Sequence, residues 1–264
     1  MRLRPLFILK HPRLILYSIK HPNLSDIRKM ANVITSEERK KELAIIKKEI
    51  TDKDQKTFTF RGEEYQYFYG DYNEAWSSER TVEIPIIWKS VREMRDRKIL
   101  EVGNVLSHYF TISHDVVDKY EVWPGVINED ILTFNSRHRY DLIVSISTLE
   151  HIGFSIKRGV SDPHGFQNAI SKLISLLKPT GRILFSVPLG YNPFLDNYIP
   201  TLAKFSKLTF MRRVSYDNRW CECTYEEAIK CKYGGFKIRR STMPPYPRAN
   251  AIIIGEISNA KSGL

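Results

Sequence analysis

The chain has 264 residues, enough for one generous α/β domain with an accessory segment, and its 42% hydrophobic content is ample for a core. No run approaches the roughly 18 apolar residues that span a bilayer. Three cysteines are too few for a disulfide framework and point to a reducing cytoplasm, while a net charge of +11 points to an anionic partner. The charge is uneven. The first 30 residues hold seven Lys or Arg against one acid and residues 197–264 twelve against five, whereas 99–196 are slightly acidic.

Residues 1–55 read as a basic, helical N-terminal accessory region. Lys10-His-Pro-Arg-Leu14 recurs as Lys20-His-Pro-Asn-Leu24, and each proline bends the chain. The polar break between Leu6–Leu9 and Leu14–Tyr17 argues against a signal peptide. Thr35-Ser-Glu-Glu38 matches a capping box, with Leu43, Ile46 and Ile50 following at helical spacing, so a helix is expected from there.

Residues 56–97 form an aromatic-rich lead-in, Phe58 to Tyr72 with Trp76 beyond, and a helix is predicted from Ile86 to Asp96. From Lys98 the pattern alternates. Strands are predicted at 98–103, 115–119, 129–132, 141–146, 181–187, 235–241 and 250–257, and helices near 105–110, 165–178 and 223–233. Such alternation favours right-handed βαβ units in a mostly parallel sheet. Residues 98–257 are the main domain and 258–264 a tail. Within the domain, 189–221 reads as a cap inserted after a parallel strand, with Tyr191, Arg212, Arg213 and Arg219 as substrate contacts. Aromatic faces bind sugar rings, and arginines pair with carboxylate or phosphate.

In open α/β sheets the ligand sits beyond the carboxyl ends of the strands. Here the first strand delivers Glu101-Val-Gly103 and Asn104, and the second Asp118. The third brings Asp130 and Ile131, and the fourth runs into Ser145 and Ser147. A dinucleotide needs a glycine-rich turn that cradles its pyrophosphate, and Gly103 is followed by Asn104-Val-Leu-Ser-His108, with two of the three glycines absent. A cationic, phosphate-free ligand suits an acidic crevice with a single glycine better. Cys221, Cys223 and Cys231 lack a fourth ligand nearby, so no metal site is expected.

Taken together, Glu101-x-Gly103, Asp118, Asp130-Ile131, the run Asp141-Leu-Ile-Val-Ser-Ile-Ser-Thr-Leu-Glu-His151 and Leu177-Lys-Pro-Thr-Gly181 resemble the class I S-adenosylmethionine-dependent methyltransferases, over residues 85–257. The resemblance implies a Rossmann-like seven-stranded, mostly parallel sheet with helices on both faces and an antiparallel last strand, here Ala249 to Gly255. It implies S-adenosylmethionine as cofactor. Glu101 and Gly103 would hold its methionine end, Asp118 its ribose and Asp130 its adenine, with Ile131 on the adenine face. Leu149-Glu150-His151 would lie beneath the transferring methyl, His151 being the candidate base and Glu150 its neighbour. The chain departs from the family's usual glycine pattern after Gly103. Ser78-Glu-Arg-Thr-Val-Glu-Ile-Pro85 is similar to a lead-in of methyltransferases associated with surface-polysaccharide synthesis, and Arg80 and Glu83 within it could close over the donor or form a salt bridge.

The function expected is methyl transfer to a hydroxyl, or another heteroatom, of a small molecule or glycan. An RNA methyltransferase and a non-catalytic scaffold on the same fold are the alternatives. The expected location is cytoplasmic, with residues 1–30 touching an anionic membrane.

Overall fold

The structure is a computed structural model that describes residues 24–52, 55–155, 159–235 and 243–259. The Lys-His-Pro repeat and the predicted strand 235–241 lie outside those residues, apart from Leu24 and Gly235. Helix α1 (Leu24–Thr51) belongs to a unit of its own, residues 1–49. It starts 11 residues before the predicted capping box, which therefore lies inside it. No proline or glycine follows Pro22 to stop the helix, and Arg28, Lys29, Met30 and Ala31 are good helix formers.

The second unit opens with a hairpin of β1 (Thr57–Phe60) and β2 (Glu63–Gln66). Arg61 and Gly62 turn it, with φ of 52° and 80°, the positive pair that matches the twist of two antiparallel strands. Alternation along β1 buries Phe58 and Phe60. Helix α2 (Arg80–Glu93) begins six residues earlier than predicted, because Pro85 does not stop it. A proline leaves the carbonyl four residues back without its donor. Here that carbonyl, Thr81 O, accepts the N–H of Phe68 at 2.9 Å.

The remaining elements follow in chain order: β3 (Ile99–Val102), β4 (Asp115–Val117), β5 (Val126–Ile127), β6 (Tyr140–Ile146), the short pair β7 (Phe154–Ser155) and β8 (Val160–Ser161), helix α3 (Gly165–Leu176), β9 (Leu177–Pro188), helix α4 (Pro193–Leu202), β10 (Lys207–Arg213), β11 (Trp220–Cys223), the short α5 (Tyr225–Ala228) and β12 (Ala251–Ser258). Eight strands make the main sheet, in the order β11-β10-β12-β9-β6-β3-β4-β5. Strands β3, β4, β5, β6 and β9 pair in parallel, and β12 runs antiparallel between β9 and β10. Alternate side chains feed two cores. Leu100, Ile143, Ile183 and Ile253 join α3 and α4 on one face. Leu142, Val144, Leu184 and Ile252 join α2 and the hairpin on the other. Layers on both faces are why the central strands are continuously apolar.

Four expectations are corrected. The sheet has eight strands rather than seven, because β11 adds an edge beyond β10. Strand 129–132 is absent: the third parallel strand is Val126–Ile127, and Asp130 opens a turn whose carbonyl accepts the N–H groups of Thr133 and Phe134. The predicted helix 223–233 shrinks to Tyr225–Ala228, started by a capping box of Thr224 and Glu227. Finally, 189–221 is not an inserted cap, since it supplies α4 and the sheet strand β10.

Candidate functional site

The carboxyl ends of β3, β4 and β6 bring the predicted acids and hydroxyls together. Gly103 turns sharply after β3 with φ of 87°, and a Cβ there would sit 2.2 Å from Thr148 Oγ1, so the turn packs directly against the loop after β6. No regular helix follows it, only one 3-10 turn over Leu106–His108. Glu101 holds this turn in place. Its carboxylate is fully buried, and Oε1 accepts the N–H groups of Val105 (2.9 Å) and Leu106 (2.8 Å). Its other oxygen, Oε2, meets His114 Nε2 at 3.0 Å. Glu101 thus shapes the loop from below and has no open face for a ligand.

Asp118 joins neighbouring loops. Its Oδ2 accepts the N–H of Asn104 at 3.0 Å, and Oδ1 accepts those of Tyr120 and Glu121, each at 2.8 Å. A carboxylate offers about four lone-pair sites, so roughly one remains. Asn104 is buried, and its side chain bonds Ser107 and His108. His108, missed in the sequence, stacks on Tyr72 with ring centroids 3.6 Å apart and meets Glu121 Oε1 at 2.6 Å. Asp130 pairs with Lys119 Nζ at 2.8 Å and accepts the N–H of Leu132. Burial acts to raise its carboxyl, but these two partners outweigh burial and lower it. Ile131 is buried in the core. Ser145 is fully buried and donates to Val102 O, so it ties β6 to β3 rather than facing a ligand.

The loop after β6 faces a second group of acids. Ser147 takes φ of 40° and donates to Glu83 Oε1 at 2.7 Å. Glu83 sits in the first turn of α2, fully buried, and its Oε2 has no hydrogen-bond partner. Glu150 is 2% exposed and its Oε2 is likewise unpartnered. Burial, with the charge of Glu79, pushes Glu83 up to about 7. Burial also drives Glu150 well above the carboxylate range, helped by Glu83. His151 places Nε2 3.5 Å from Glu150 Oε1, and its half-exposed ring lies edge-on to Tyr191, with centroids 4.9 Å apart. Tyr191 in turn contacts Phe154 and Tyr233.

The three arginines expected to bind substrate are engaged elsewhere. Arg213 is buried and donates to the carbonyls of Ser77, Ser215, Tyr216 and Pro247, with Tyr246 beneath it; burial lowers it to about 10. Arg212 on β10 pairs with Glu227 at 3.6 Å, and Arg219 pairs with Asp217 at 3.2 Å. Alternation along β10 sets the directions of Arg212 and Arg213, and Arg219 lies in the turn between β10 and β11. Asp162 accepts the N–H of His164 just before α3, a local turn bond. A cavity of about 650 Å³ opens at the amino ends of the strands, lined by Trp88, Arg92, Arg97 and His114 among others. It lies away from the end where α/β sheets bind ligands, although His114 on its wall reaches Glu101.

No protein-family model matches the chain, and no curated protein matches it in sequence. Among solved structures it is similar to the N-methyltransferase NodS from Bradyrhizobium japonicum WM9, at 15% identity and a TM-score of 0.40, over 69% of this chain and 96% of that one. An rRNA methylase from Streptococcus thermophilus aligns at 11% identity and 0.38, over 67% and 96%. A possible histamine N-methyltransferase from Thermotoga maritima aligns at 14% and 0.36, over 68% and 96%. Such scores carry no inference about activity. The chain's own sheet, mostly parallel with β12 reversed between β9 and β10, has the Rossmann-like arrangement expected from the sequence, with one strand more.

Proposed function

We propose that this chain transfers a methyl group from S-adenosylmethionine to a hydroxyl of a small molecule or glycan. One observation carries the choice of donor. The N–H groups of Asn104, Val105 and Leu106, which a pyrophosphate would need at this turn, are all donated to the carboxylates of Asp118 and Glu101. A dinucleotide would find anions where it needs donors. A phosphate-free, cationic ligand meets a turn that lets backbone approach at Gly103, and acids beyond it.

Asp118 would accept a ribose hydroxyl through its remaining lone pair, and Asp130 with Ile131 would border the adenine. When bound, the donor supplies an electrophilic methyl on a sulfonium, displaced in line by the acceptor. The chain's work is then positioning and proton removal. His151 would take the acceptor's proton, its ring oriented by Glu150 and Tyr191. Tyr191, Phe154 and Tyr233 form an aromatic wall suited to a ring-shaped acceptor, which supports a saccharide. The lead-in Ser78–Pro85 supports the same reading by resemblance. RNA is less favoured, because Arg212, Arg213 and Arg219 are held by protein partners.

Calorimetric titration with S-adenosylmethionine and its demethylated product tests the donor. Micromolar binding is expected for the native chain, with a loss of about tenfold or more in Asp118→Ala and none detectable with NAD. Binding of NAD but not of either adenosyl ligand would overturn the proposal.

A further inference from the structure

Four buried polar atoms without partners lie in the first turn of α2 and the loop after β6, three of them on charged groups: Arg80 Nη1, Glu83 Oε2 and Glu150 Oε2, beside Thr81 Oγ1. Buried polar groups are nearly always bonded, and leaving one unmade costs about 1–3 kcal/mol, so several together call for an explanation. Packing supplies none. Among the described residues no ion pair joins Arg80 to Glu79, Glu83 or Glu150, although opposite charges share the site. The acid expected at the donor's methionine end is also spent: Glu101 holds the loop and His114.

We propose, resting on the donor reading above, that Arg80 and Glu83 hold the amino-acid end of S-adenosylmethionine, the guanidinium taking its α-carboxylate and the carboxylate its α-ammonium. The chemistry is complementary in sign and shape. A guanidinium presents a planar fork to a carboxylate, and an ammonium fills an unpartnered carboxylate oxygen with a charge-assisted bond. Placement agrees with this. Ser147, at the carboxyl end of β6, already donates to Glu83 Oε1, so Oε2 is the oxygen left for a ligand. Both residues come from α2, outside the strand-end motifs, and neither would be found by inspecting strand termini.

The arrangement also links binding to protons. Glu83 faces Glu79 and Arg80 at the start of α2, Tyr109 after β3, Ser147 after β6, Ser186 on β9, and Glu150 in the turn beyond. The Ser186 hydroxyl favours the ionised form, without reaching hydrogen-bond geometry to Oε2. Burial and Glu79 push the carboxyl up to about 7 in the free protein. An arriving ammonium requires the ionised form, so binding releases a proton below that pH. Affinity for a ligand carrying the amino-acid end then rises with pH between 6 and 8.

The test compares S-adenosylhomocysteine with 5′-methylthioadenosine, which keeps the adenosine thioether but lacks the ammonium and carboxylate. Calorimetry is run on the full chain, on Glu83→Gln and on Arg80→Met, each checked for native melting. Expected is a loss of about tenfold or more in S-adenosylhomocysteine affinity in either variant, with methylthioadenosine unchanged within about threefold. The pH dependence of S-adenosylhomocysteine binding should vanish in Glu83→Gln. Folded variants that keep the ratio of the two affinities overturn the assignment, as does an equal loss of both ligands. If one variant fails to fold, the other gives the same comparison. A native chain that binds neither ligand overturns the donor reading itself, and this assignment with it.

Discussion

Gly103 shows how one residue carries both a turn and a contact. Its φ of 87° lies where side chains are strained, and a Cβ would press on Thr148 at 2.2–2.8 Å. Gly103→Ala should therefore cost roughly 2–4 kcal/mol, part backbone strain and part overlap. Chemical denaturation reads that cost. Adding Thr148→Ala should recover part of it, since the Oγ1 and Cγ2 overlaps vanish while the backbone strain stays. A full recovery would show that the strained φ costs nothing, and no loss in the single variant would show that the turn is not as described. At this scale the sequence was informative about identity and silent about use. Glu101, Gly103 and Asp118 stand where strand ends were expected. Whether an acid faces a ligand or a backbone N–H depends on where the next five residues run, and Glu101 and Ser145 turned inward.

The elements were legible where burial is two-sided. Strands β3 and β6 lie in mid-sheet, read as apolar runs and fall within one residue of prediction, while β9 starts at Leu177, four residues before its predicted run. Strand β10 was hidden because Lys207-Leu-Thr-Phe-Met-Arg-Arg213 is only partly buried and mixes basic with apolar residues, a pattern shared with loops. The helix expected after Gly103 is reduced to one 3-10 turn over Leu106–His108, whose leading N–H groups Glu101 accepts. Helix α4 joins β9 through a comparable device: Asp196 in its first turn accepts the Gly190 N–H, while burial pushes its carboxyl up to about 6. A folded-state value above the ordinary carboxylate range means that the folded chain holds the proton more tightly. This contribution to stability is complete below about pH 4 and is lost as pH rises through about 6, amounting to roughly 1–2 kcal/mol after allowance for partial exposure. Asp196→Asn keeps an acceptor for Gly190 and removes the titration. It should melt with the native chain near pH 4.5 and several degrees above it at pH 7.5. The comparison is differential, since Glu83 and Glu150 titrate alike in both proteins. A melting difference independent of pH would refute this account.

For the whole molecule, the basic residues at the start raise the question of where the protein works. No described helix is long and apolar enough to cross a membrane. Residues 1–23 lie outside the described structure, so their role is argued from composition: seven Lys or Arg against one acid in the first 30 residues, interleaved with leucine and isoleucine. Peripheral contact with an anionic bilayer is the expected consequence, at about 1 kcal/mol per basic residue near the surface. Vesicles containing phosphatidylserine should pull down the full chain at low salt and not a chain lacking residues 1–30. Equal capture of both would refute this membrane contact. A steep salt dependence on RNA instead would favour a nucleic-acid acceptor.

By itself, the sequence determined the class of fold, the positions of the central strands along the chain and the acids at their ends. These follow from local periodicity, and two-sided burial writes itself plainly into apolar runs. Only the tertiary structure decided which acids are free. Glu101 and Asp118 were drawn onto backbone N–H groups, whereas packing of α2 against the sheet buried Glu83 beside Ser147 with one oxygen unspent. A hydrogen bond between residues 64 positions apart leaves no trace in local pattern, because its geometry is set by how layers pack rather than by the residues on either side.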